Sequence, residues 1–301
     1  VQIEACSAIA MQGGIPILLS TLTQHPLTQH LQQTGLCLLR QLLRASPGNN
    51  RMKAALTSSF GIEITIKAIF THGITSSNNA DSGYYRILED GCMLLWSLGF
   101  QHSDNLQRIH VGGGAGAILA GMESAMQEQE EDKEEREINN KRNERVQGNA
   151  LGALHTLSFH PGIRSGLRDN GGMECVLKVM SLHPHSASVQ ERACGALATL
   201  VVRDEQMSNS SSGDVVVMLL DGQAMVMIAV AMENHITVAR VQRNACLLLW
   251  LLCKSLENVR IMQQKTNGRI RRVLIGAIQQ FPSECEKSAR FVIERMGSIY
   301  D

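Results

Sequence analysis

The stretch VGGGAG at 111–116 carries the glycines of a phosphate-cradling loop. Such a loop holds an anion on backbone N–H groups, follows a strand and ends in GK with Ser or Thr. This stretch has neither the ending nor a preceding strand pattern. Two histidine pairs, His155 with His160 and His183 with His185, could offer imidazole nitrogens to a metal. No cysteine or carboxylate lies close enough in sequence to complete a ligand set. His160 and His183 each precede a proline, which places them in turns. Eight cysteines are present and none forms a CxxC pair. Serines, histidines and aspartates are scattered with no nucleophile elbow. The residues predict no catalytic centre, metal or cofactor, and a protein that works by binding.

The glycines make sense one level up. The phrase VQERACGALATL (189–200) returns as VQGNALGALHTL (146–157) and VQRNACLLLWLL (241–252). Aligned by first residue, it recurs at Leu31, Ile87, Val146, Val189, Val241 and, more weakly, Cys285. The intervals are 56, 59, 43, 52 and 44 residues, which reads as a unit of about 42–44 with insertions in the longer intervals, within the range of stacked supersecondary units. Offsets +4, +7, +8 and +11 are small or apolar; at Val189 they are Ala193, Ala196, Leu197 and Leu200. That is one stripe of an α-helix. A second phrase precedes each copy, as in GIRSGLRDNGGMECVLKVM at 162–180. It reads as a short helix, a glycine corner and an amphipathic helix, since glycine permits the positive φ of a sharp corner. VGGGAG stands at such a corner. Turns follow, twice with His-Pro (His25-Pro26, His183-Pro184).

Composition agrees. The chain has 301 residues, 44% hydrophobic and 19% charged, enough to bury a core. Aromatics are only 4%, so that core is aliphatic, with 14 Met. Lysine plus arginine equals aspartate plus glutamate, whereas nucleic-acid binders carry a basic excess. No apolar run is long enough to span a bilayer. Cysteines at helical spacing among apolar residues are expected as buried thiols in a reducing compartment: the cytoplasm, the nucleus or a cilium. The chain starts at Val1 within a copy of the phrase and reads as a piece of a longer protein.

Short helix, glycine corner, second helix, turn and third helix resemble the armadillo repeat. GGIP (13–16), NGG (170–172) and the three VQ phrases carry the likeness. HEAT repeats are the nearest competitor, and the glycine corner favours armadillo. The resemblance implies an all-α, right-handed solenoid of about six three-helix repeats over 1–301. Insertions fall at 73–85, 124–145 and 204–214. The charged run QEQEEDKEEREINNKRNER (127–145) is expected to lengthen the second helix of its repeat.

The resemblance further implies that third helices line a concave groove. Facing it at +3, +10 and just before +10 would be Gln41, Asp90, Ser97, Asn149, Thr156, Arg192, Thr199, Asn244, Trp250 and Leu251. Asn149, Arg192 and Asn244 would supply hydrogen bonds, Gly152 and Gly195 a flat floor, and Leu247 with Leu251 an apolar end. Trp96 shares Trp250's register, as filler between helices; Trp250 is either filler or an anchor. Peptide-binding members carry Asn at +10, and nuclear-import adaptors add a Trp four residues earlier. Here +10 holds Gln41, Ser97, Thr156, Thr199 and Leu251, and the earlier position holds Cys37, Met93, Gly152, Gly195 and Leu247. Recognition of nuclear-localisation signals is therefore not expected. The leading function is a non-catalytic scaffold that holds a protein or peptide, without nucleic acid or membrane insertion. Two alternatives are a small-GTPase regulator using Asp90, Asn149 and Asn244, and a structural subunit contacting through its insertions.

Overall fold

The computed structural model describes residues 8–9, 12–45, 50–73, 83–126, 133–202 and 212–297. Most of the 73–85 and 204–214 insertions, the 127–132 part of the third and the first seven residues of the opening phrase lie outside these. The described residues are all-helical, without a strand. They form two compact units that meet in sequence at Ile163 and Arg164.

The first unit contains α1 (Gly14–Gln24), α2 (Gln29–Ala45), α3 (Asn50–Ser58), α4 (Gly61–His72), α5 (Gly83–Gly99), α6 (Ser103–Val111), α7 (Gly114–Ala125) and α8 (Lys133–Leu157). Helix α5 packs between α2 and α8. The second unit begins within α9 (Pro161–Asp169) and continues through α10 (Gly172–Leu182), α11 (Ala187–Val201), α12 (Ser212–Leu220), α13 (Gly222–Asn234), α14 (Ala239–Leu252), α15 (Leu256–Thr266), α16 (Arg269–Gln280) and α17 (Pro282–Gly297). There α14 packs between α11 and α17.

The helical stripe read from the sequence is the buried one. Ala193, Ala196, Leu197 and Leu200 are buried, as are Ala150, Ala153, Leu154 and Leu157, and Ala245, Leu248, Leu249 and Leu252. Each such leucine contributes about 1.5–3 kcal/mol by leaving water. The alanines let neighbouring helices close up.

The corners are built on paired residues. Gly13, Gly113, Gly171 and Gly268 precede their helices in the left-handed region, with φ from 73° to 79°. At the α9–α10 corner the next residue, Gly172, must also lack a side chain. A Cβ there would lie 2.6 Å from the Leu167 carbonyl oxygen.

The glutamine of the VQ phrase has a structural role. Gln190 is buried, and its Nε2 donates to the carbonyls of Met180 and His183, each at 2.9 Å. Gln32 does the same to Leu22 and His25, and Gln242 to Met232 and His235. These carbonyls end the preceding helix, where backbone acceptors lose their intrahelical partners. The His-Pro turns are held as well. His72 Nε2 donates to the Pro26 carbonyl at 2.7 Å, and His235 Nε2 to the Pro184 carbonyl at 3.1 Å.

The charged insertion differs from expectation. Helix α7 ends at Ala125, and the run from Lys133 onward instead forms the first turns of α8, a 25-residue helix. Asn143 explains the attachment: buried, it donates to the Ala125 carbonyl at 2.9 Å, one turn before Gln147 binds the Met122 carbonyl. Both clamp the end of α7 from α8, so the added turns belong to the helix carrying the clamp.

Candidate protein-binding surface

In the first unit the third helices α2, α5 and α8 carry Gln41, Asp90, Ser97, Asn149 and Thr156. Gln41 is exposed, its amide on Cys37 Sγ at 3.4 Å. Asp90 is buried and forms an ion pair with Arg40 across α2 and α5, at 2.5 Å. Burial raises its pKa, and the Arg40 guanidinium opposes that rise. Ser97 donates back to the Met93 carbonyl. Asn149 donates to Glu89 at 3.3 Å, and Arg145 pairs with the same carboxylate at 2.9 Å. Thr156 is buried. Gly152, expected as open floor, lies under Trp96: a Cβ there would be 2.5 Å from the indole. Trp96 fills the space that the missing side chain leaves.

In the second unit, α11, α14 and α17 carry the rest. Thr199 is buried and donates to the Ala196 carbonyl. Arg192 is half-buried, and burial lowers its pKa against the opposing pull of Glu191. Asn244 is buried; its Nδ2 donates to the Glu191 carbonyl at 2.9 Å, tying α14 to α11. The +3 asparagines therefore join adjacent third helices.

The exposed chemistry of this unit lies further along the helices. Leu247, Trp250 and Phe291 keep 40%, 36% and 37% of their surface, and Leu251 is half-buried beside them in sequence. Trp250 and Phe291 meet edge-on, with ring centroids 6.2 Å apart. The Arg295 guanidinium lies 5.5 Å from the Phe291 ring centre, and its Nη2 donates to the Lys254 carbonyl at 3.2 Å. Edge-on rings and a guanidinium against an aromatic face are each mutually favourable arrangements. Phe291 was legible as the +6 residue of the last copy; only its meeting with Trp250 required the structure.

Two of the histidines considered for a metal, His155 and His160, make ring contacts. His160 stacks on His110 with centroids 4.9 Å apart, and its Nδ1 accepts the Ile163 amide at the start of α9. His155 stacks on Phe159. The 111–116 glycines form the α6–α7 corner. Among the described residues, no helix is long and apolar enough to cross a membrane.

These features define an all-helical protein. No family model matches the sequence. Over 85 residues, 28% of this chain, it is 33% identical to protein aardvark of Dictyostelium discoideum, and the matched stretch spans 11% of that protein. An engineered protein of known crystal structure has a similar fold: 95% of this chain superposes on 97% of that one with a TM-score of 0.65, at 16% identity.

Proposed function

We propose that the chain is a non-catalytic interaction scaffold: an armadillo-type, right-handed solenoid of about six three-helix units that holds a protein partner on its third helices. The single observation behind this reading is the exposed Trp250–Phe291 ring pair on α14 and α17, with exposed Leu247 one turn before Trp250. Tryptophan and arginine in a packed apolar setting are the residues that dominate binding energy at protein interfaces. A surface fixed by helix packing also loses little entropy on binding. The formal net charge of zero fits a protein partner better than a nucleic acid. The buried free thiols fit a reducing compartment such as the cytoplasm.

The test is a native-lysate pull-down with the wild-type chain beside Trp250→Ala/Phe291→Ala, both checked for an unchanged melting temperature. One protein held by the wild type and lost by the variant is the expected result. The same proteins on both would move the contacts elsewhere and sink this reading.

A further inference from the structure

We propose that a second docking site lies in the first unit, between α1 and α4, and that it takes an amphipathic helical peptide carrying a carboxylate. It is independent of the third-helix surface. A cavity of about 650 Å³ opens there, walled by Pro16, Leu19, Leu22, Pro26, Phe60 and Ile64. That is the size and lining of a binding site.

Phe60 is the second observation. It occupies the corner position that glycine holds before α1, α7, α10 and α16, and it adopts the same left-handed conformation, with φ 59° and ψ 26°. A bulky L-residue is disfavoured there, because its Cβ crowds the backbone. The ring gains no burial in return, since 67% of its surface is exposed. Its side chain makes no capping hydrogen bond. The next residue, Gly61, shares the requirement of Gly14, Gly114 and Gly172 at the corners before α1, α7 and α10: a Cβ there would lie 2.7 Å from the Leu56 carbonyl oxygen. The corner thus keeps its glycine geometry while presenting an aromatic ring at the cavity. Backbone strain of this kind concentrates where a ligand is clamped.

The cavity's two charged residues indicate the ligand's polarity. Glu63 is taken up by Arg108, whose Nε and Nη2 reach it at 3.0 Å and 2.8 Å. Lys67 stays exposed in the lining, one turn along α4. A groove between two helices with an aliphatic floor suits a helix that inserts apolar residues one turn apart. Lys67 sets the complementary charge as a carboxylate beside them.

The experiment selects displayed peptides of about 16 residues, some four turns of helix, on the immobilised full chain. Selected peptides are then measured by fluorescence anisotropy against wild type, Phe60→Gly and Lys67→Glu. The expected peptides carry two apolar residues three or four apart and an acidic neighbour. Phe60→Gly should raise the melting temperature, by relieving the corner, yet weaken peptide binding at least tenfold. Lys67→Glu should weaken it at least threefold, an effect that shrinks with added salt. Peptides that bind all three chains equally would overturn the site. So would a lower melting temperature for Phe60→Gly, which would make the ring structural. Laurate displacing every selected peptide would make the occupant a small amphiphile, and self-association lost in Phe60→Gly would make it a second copy; either would overturn the peptide assignment.

Discussion

Gln190 shows what one buried side chain does here. Its two hydrogen bonds satisfy the acceptors that end α10. Gln190→Leu keeps the volume roughly constant and leaves those carbonyls buried without that donor, which costs about 1–3 kcal/mol. The urea midpoint should fall accordingly with an unchanged slope; an unmoved midpoint would remove the clamp from the account. The cysteines obey the same logic of burial. Burial pushes the Cys194 and Cys253 thiols up to about 12, and Cys92 higher still. A thiol attacks as its thiolate. Iodoacetamide at pH 8 should therefore alkylate half-buried Cys37 well before Cys92, Cys194 or Cys253 in the folded chain. Equal labelling, read by peptide mass spectrometry, would contradict the burial.

At the scale of the element, each third helix carries one apolar stripe and one set of inter-helix ties. Leu197 lies at the centre of the α11 stripe with no exposed surface. Leu197→Asp forfeits its burial and places a charge where no partner waits, for a loss of about 3 kcal/mol or more. Thermal melting followed by circular dichroism should show it, and unchanged melting would refute the register. That stripe was legible because a helix sets its own 3.6-residue period. The position of the charged run was not legible. Whether 133–145 joined α7 or α8 depended on where Asn143 found a carbonyl, and that partner sits 18 residues away in sequence, on another helix.

At the scale of the whole molecule, binding is expected to rest on apolar and aromatic surface. The chain has no net charge, and Trp250 and Phe291 are uncharged, so the affinity of a partner held there should change little between low and physiological salt. A steep fall would indicate ion pairing instead, because screening weakens exposed charges first. Most of the helices, the buried stripe and the glycine corners are readable from the residues alone, since each follows from local periodicity or local backbone sterics. Tertiary structure alone decided which polar residues stay available. Asn149 and Asn244 have the composition of ligand contacts, yet each is tied to the preceding third helix, through Glu89 and the Glu191 carbonyl. Gly152 has the composition of an open floor, yet Trp96 covers it. Those outcomes depend on the register between helices some 50 residues apart, which no local pattern encodes.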